Sequence, residues 1–240
     1  MEEMTCCVFT NCVFTGSIAN DTTKFEDTEL NDCTFSNTNI AVTLVKCTAK
    51  NCKFVKCEMK EGMIDCVIHD CQFTGSHCVI EDCSVTLCKM DEVDLTVKNS
   101  TKAIWNNVEV NRSSVIRHNT KTLENMELND CTFSNTNIAV NLVKCTAKNC
   151  KFVNCEMKEG IIGCAFHDCP FTGSQCVIEK GCQFYGCKFD AMDLTVQDFG
   201  QLLQENFEFS GSKITTDTKQ LERMDLVGYN FTSTNKEITC

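Results

Sequence analysis

Residues 31–80 and residues 129–178 carry the same fifty-residue text with eight differences, at an offset of 98. A third, partial and more divergent copy follows in phase: Leu30, Leu128 and Leu226 align, as do Phe35, Phe133 and Phe231. A related phrase precedes each copy, TKFEDTEL at 23–30, TKTLENMEL at 120–128 and TKQLERMDL at 218–226. No Gly-, Ser- or Pro-rich joint separates the copies, so they read as one continuous body over 1–240 rather than as beads on a linker. Its units run roughly over 9–107 and 108–205, with a partial one at 206–240 and an irregular stretch at 98–125.

Inside each unit lies a finer period. Apolar residues recur at Leu30, Phe35, Ile40, Val45, Ala49, Phe54, Met59, Ile64, Ile68 and Phe73, a spacing of five broken by a four after Val45 and again after Ile64. A helix repeats at 3.6 and a simple strand at 2, so neither template fits. Two positions before most of these residues stands a small one, usually Cys, giving blocks such as CTFSN, CKFVK, CVIHD, CQFTG, CQFYG and CKFDA.

These blocks resemble the pentapeptide-repeat family, in which a small inward residue precedes Leu or Phe by two positions. The resemblance covers 7–97 and 126–200 well. It implies an all-β fold, a right-handed quadrilateral parallel β-helix with one block per side and four blocks per coil. The shortened blocks TLVK and GMID fall four blocks apart, so each trims the same side of successive coils and the coils there should hold 19 residues. Interior ladders follow: Phe35, Phe54 and Phe73; Ile40 and Met59; Val45 and Ile64. The segment SHCVIED at 76–82 is over length on this pattern and reads as a bulge beside Ile80. Five coils per unit, at about 4.8 Å each, separate equivalent points by roughly 24 Å, and the whole rod spans about 55–60 Å. Such a rod must blunt its open ends. MEEMT and the last dozen residues are expected to do this, and a terminal coil is a place for a homodimer to pair.

Twenty of the 22 cysteines occupy the small inward position; Cys6 and Cys240 do not. A buried free thiol behaves as a small hydrophobe between larger neighbours. Zinc needs convergent C-x₂₋₄-C pairs, whereas Cys47, Cys52 and Cys57 fall on three different sides. Stacked thiols lie within disulfide reach, yet in-register side chains point in parallel. The N-terminus lacks the basic and apolar regions of a signal peptide. No disulfide, metal or cofactor is therefore expected, and the setting reads as a reducing cytoplasm, with a larger intracellular or viral assembly as one context. No apolar run reaches the roughly 18 residues of a membrane span.

Catalytic signatures are missing from the text: no phosphate-binding Gly loop, dinucleotide fingerprint, H-E-x-x-H or nucleophile elbow occurs. His69 and His167 sit in a duplicated HDC, with Asp70 and Asp168, just after a block centre and so on the outside, away from any inward cysteine that could pair with them. The chain thus reads as non-catalytic. Its formal charge of −11 disfavours direct nucleic-acid binding. Acidic residues cluster at Glu81, Asp82, Asp91, Glu92 and Asp94, the candidate interaction surface, and Trp105, the only Trp, is either a core plug or a partner anchor. Two functions compete. One is a structural or protein–protein interaction scaffold, whose phrase T-K-x-(L/F)-E-x-M-x-L returns on one side of the rod to meet a periodic assembly. The other comes from the family resemblance: some bacterial members are acidic dimeric rods that mimic duplex DNA and bind type II topoisomerases, which would make a DNA-binding enzyme the partner.

Overall fold

A computed structural model describes residues 2–15, 23–37, 39–40, 43–99, 103–117, 122–197, 208–210, 212–216 and 231–232. Its strands are short, mostly three residues, and every pair is parallel. They stack into a 12-stranded, a 10-stranded and a 15-stranded sheet. The coil nevertheless has four sides, because strands such as Glu58–Ile64 and Glu156–Ile162 run round one corner and join two sides into a single sheet. Each strand alternates out, in, out, so one side chain per side points into the core.

The interior is a set of ladders. Phe14, Phe35, Phe54 and Phe73 stack with ring centroids 4.6, 5.0 and 4.7 Å apart and planes within 8°. Phe133, Phe152, Phe171 and Phe189 repeat the stack at 5.3, 4.8 and 5.0 Å. The rings follow the strand spacing of about 4.8 Å, which offset stacking accepts. Ala49 and Ala147 stand on the side beside Phe54 and Phe152, so large and small residues alternate around the coil.

Coil length varies in a way that sums to the 98-residue offset. Register partners on the phenylalanine side are separated by 19, 19, 17, 20 and 23 residues from Phe35 to Phe133. From Phe133 to Phe231 the steps are 19, 19, 18, 20 and 22. One unit is therefore five whole coils, and equivalent residues return to the same side.

Three expectations need correction. On the trimmed side Leu44 and Met63 point inward and Val45 and Ile64 lie half-buried outside. The short step therefore falls before Leu44, not after Val45; TLV offers two adjacent aliphatics and the period alone chose the wrong one. Residues 76–82 are not over length, although the register with the following strand does shift beside Ile80, between Ile80 and Glu81. Cys78 pairs with Met59 and Leu95, and Ile80 with Met63 and Val97, so two inward positions lie only two residues apart and the coil shortens to 17. Cys78 and its copy Cys176 thus fill the centre slot normally taken by Met or Leu. The stretch 98–125 is largely regular: 104–106, 109–111, 114–117 and 122–124 are in-register strands. Of the presumed caps, residues 2–5 form an edge strand paired with 23–26. His118, Leu226, the 218–226 phrase and most of the last dozen residues lie outside the described residues.

Candidate interaction surfaces

The inward cysteines do more than fill space. At many corners a thiol donates to two carbonyls, as Cys52 does to Leu30 O and Lys50 O, both at 3.3 Å. The sulfur in turn accepts from the backbone of the coil before: Cys52 N donates to Cys71 Sγ and Cys71 N to Cys88 Sγ, each at 3.4 Å. Ser76 performs the same task beside Cys57, accepting from Cys57 N at 3.0 Å and donating to Phe54 O at 3.2 Å. The slot favours a small side chain with a donor and an acceptor, because these corner groups are buried, though Val93, Ala103, Val108 and Met126 fill it by volume alone. Burial pushes Cys155 up to about 11 and raises Cys78 and Cys176 as well. These thiols are therefore poor nucleophiles. Among the described residues no group of His, Cys, Asp or Glu is placed to hold a metal ion.

The residue just before the inward position turns the corner in the left-handed region. Asn11, Asp32, Asn51, Asp70, Asn107, Asp130, Asn149 and Asp168 do so along one edge with φ between 50° and 55°. Asn and Asp tolerate this conformation best among residues with a Cβ. The tempting HDC strings are thereby explained: Asp70 and Asp168 are corner residues and the cysteines after them face inward. His167 stacks on Tyr185 of the next coil at 4.8 Å, outside the core.

The five acidic positions fall into two groups. Glu81 and Asp82 flank the corner that leads from the two-sided sheet to the ten-stranded one. Asp91, Glu92 and Asp94 flank the corner on the other edge of that two-sided sheet. The second group is engaged by the following coil. Arg112 chelates Asp91 and reaches Glu92 at 3.1 Å, while Asn111 donates to Asp91 at 2.9 Å and Ser114 to Asp94 at 2.7 Å. The Arg112 guanidinium holds the Asp91 carboxyl below its ordinary range. Trp105 is buried at 1% exposure, between Val85 and Leu128 in register. It fills the volume lost where the phenylalanine ladder passes through Met90 and Val110, and its ring lies 6.4 Å from Phe133. It is core, not an exposed anchor.

Parallel strands with one side chain in per side, a small hydrogen-bonding residue at most corners and four such steps per coil decide the architecture. The chain is a four-sided parallel β-solenoid. No protein-family model matches it, and no curated protein sequence does. Solved structures are similar in fold. HetL, a pentapeptide repeat protein involved in heterocyst differentiation regulation from the cyanobacterium Nostoc, shares 10% identity, with 91% of this chain and 87% of that one covered and a TM-score of 0.29. Full-length QnrB1, a plasmid-mediated fluoroquinolone resistance protein, shares 14% over 92% and 96% at 0.29. The periplasmic alginate epimerase AlgG shares 9% over 85% and 59% at 0.41. At these identities and scores no residue role or activity transfers to the present solenoid.

The duplication places one outward column twice on the solenoid. On the side whose core residues are Phe25, Leu44, Met63 and Ile80, the residue after each points outward: Glu26, Val45, Ile64 and Glu81 lie in register. The second unit repeats it as Glu124, Val143 and Ile162 in register, followed just past the strand end by Glu179, whose N–H donates to Ile161 O at 2.9 Å. The shared phrase before each unit proves to be the entry to this side: Phe25 and Leu123 face inward, and Glu26 and Glu124 open the columns. The sequence pattern could not reveal the columns, because it assigned Val45 and Ile64 to the core.

Proposed function

We propose that this protein is a non-catalytic protein–protein interaction scaffold, a stiff acidic rod that shows the same outward residues to its surroundings at a fixed interval. The observation that carries the reading is the five-coil unit. An integer number of coils returns equivalent side chains to one side, and about 4.8 Å per coil spaces them by roughly 24 Å. Two equal surfaces on one rigid body favour a partner that is itself repeated, since the second contact is then made at high effective concentration. Mimicry of DNA is less well supported. It needs a run of open carboxylates, whereas Arg112 already occupies Asp91 and Glu92, and Glu81 and Asp82 lie on another edge.

Affinity capture from the native source tests both readings, using the intact rod beside a variant carrying Glu81→Gln, Asp82→Asn, Asp91→Asn, Glu92→Gln and Asp94→Asn. The scaffold reading expects the same structural or assembly protein with both. A DNA-binding enzyme captured by the native rod and lost with the variant would replace it with charge mimicry.

A further inference from the structure

The two outward columns have a chemistry of their own. Each presents a half-buried Val–Ile pair closed at either end by a carboxylate: Glu26 and Glu81 around Val45 and Ile64, Glu124 and Glu179 around Val143 and Ile162. Beside each pair the backbone passes through a buried glycine. Gly62 and Gly160 have φ of +94° and +127°, and a Cβ there would come within 2.8 Å of Val79 O and 2.7 Å of Glu179 Oε1 respectively. That flank is thus already filled, by Val79 in the first column and by the Glu179 carboxylate in the second. Lys46 and Lys144, which turn the adjacent corner after Val45 and Val143, put positive charge beside the aliphatic pair and leave the negative ends to the carboxylates.

We propose that these columns are two equivalent docking sites for an extended segment of a partner protein with a basic residue, an aliphatic residue and a second basic residue at alternating positions, as in K-x-I-x-K. The inference rests on the scaffold reading and names the chemistry of its partner. The dimensions fit. Three coil steps put the two carboxylates of one column about 14 Å apart, and four residues of extended chain span about 13 Å with the first, third and fifth side chains on one face. A segment lying along the rod therefore sets its two cations on the two carboxylates and its aliphatic side chain on the Val–Ile pair. Lys24 shows the contact in miniature, lying 2.6 Å from Glu26 with both side chains about 30% exposed. A pair that exposed is worth little, so a partner's cation displaces it at small cost. A second copy of this chain is the wrong occupant, because face-to-face columns oppose carboxylate to carboxylate.

Titration calorimetry of the full chain with the synthetic peptide TKTITKT, beside TETITET and TKTSTKT, tests this. Binding of two peptides per chain is expected, at least tenfold tighter than either control. Ile64→Lys and Ile162→Lys should each reduce the stoichiometry to one, and the double variant to none, with the β-sheet circular dichroism and melting temperature of each variant close to native. Two peptides joined by about twenty Gly/Ser residues reach 24 Å and should gain 10²-fold or more over one. Equal binding of the three peptides, a stoichiometry untouched by the substitutions, or concentration-dependent self-association lost in Ile64→Lys each overturns the proposal. Capture of the same assembly protein by the native rod and by the double variant would then leave the scaffold reading standing and remove only these docking sites.

Discussion

Trp105 carries an indole N–H into a place where no described residue accepts it. Its ring is retained for volume, and volume and hydrogen bonding can be separated by mutation. Trp105→Ala should cost about 3–5 kcal/mol by opening a cavity between Val85 and Leu128. Trp105→Phe loses part of the ring but also an orphaned donor whose burial costs about 1–3 kcal/mol, so its denaturation midpoint should stay close to native. A phenylalanine variant as unstable as the alanine one would mean that the N–H has a partner. The thiols give a second residue-scale test. Burial lifts Cys155 to about 11 and raises Cys78 and Cys176. The folded chain then keeps protons that the unfolded chain releases near pH 8.5. A raised thiol contributes stability that is complete below that pH and is lost as pH climbs to its folded value. Each such group should take away about 1.4 kcal/mol per pH unit in between. Urea midpoints under reducing conditions should therefore fall steadily from pH 8.5 to 10.5; a flat profile would show that these thiols are not desolvated.

A corner is the repeating element of this fold, and its chemistry is left-handed backbone. Leu87 stands at one of these corners with φ of 57° and 47% exposure, where neighbouring coils use Asp70 and Asn107. The conformation costs a residue with a branched side chain about 1–2 kcal/mol, and an exposed leucine recovers little of it by burial. Leu87→Asn should raise stability by about 0.5–1 kcal/mol, seen as a higher melting temperature. A fall would show that Leu87 packs on something worth more than the strain. Corners also mark what could be read in advance. Five-residue spacing and the four-block coil were legible, because Phe35, Phe54 and Phe73 are unmistakable inward residues. The dipeptides Asn51–Cys52, Asp70–Cys71 and Asp168–Cys169 carry a corner signal that the block pattern alone did not use, the left-handed φ that Asn and Asp accept. What could not be read was the choice between adjacent aliphatics: Leu44 against Val45, Met63 against Ile64. Hydrophobicity does not distinguish them; only the backbone step before Leu44 does. Trp105 was ambiguous for a related reason, since its role depends on the volumes of Met90 and Val110 on the next side. The candidate acids were found by charge alone, which says nothing of Arg112 arriving one coil later.

At the scale of the molecule, stability is distributed coil by coil and each coil meets only its neighbours. The identical text at 31 and 129 then has a mechanical consequence. Leu30 and Leu128 occupy the same inward slot, and the residues after them, Asn31 and Asn129, open the same strand ends. Deleting residues 31–128 joins Leu30 to Asn129 with the junction that Leu128 and Asn129 already make. The side, the corner and the inward–outward alternation are all preserved, and five coils are removed. This shortened chain should fold, give the same β-sheet spectrum and scatter X-rays with a maximum dimension smaller by about 24 Å. Its two remaining column halves, Glu26 below and Val143, Ile162 and Glu179 above, should join into one column, because Glu26 takes the place of Glu124. Peptide stoichiometry should therefore drop from two to one with the affinity of a single site unchanged, while the advantage of the linked peptide vanishes. Aggregation or loss of the β spectrum would show instead that the 17-, 20- and 23-residue coils between Phe73 and Phe133 hold the rod together in a way that the 18-, 20- and 22-residue coils retained after Phe171 cannot replace.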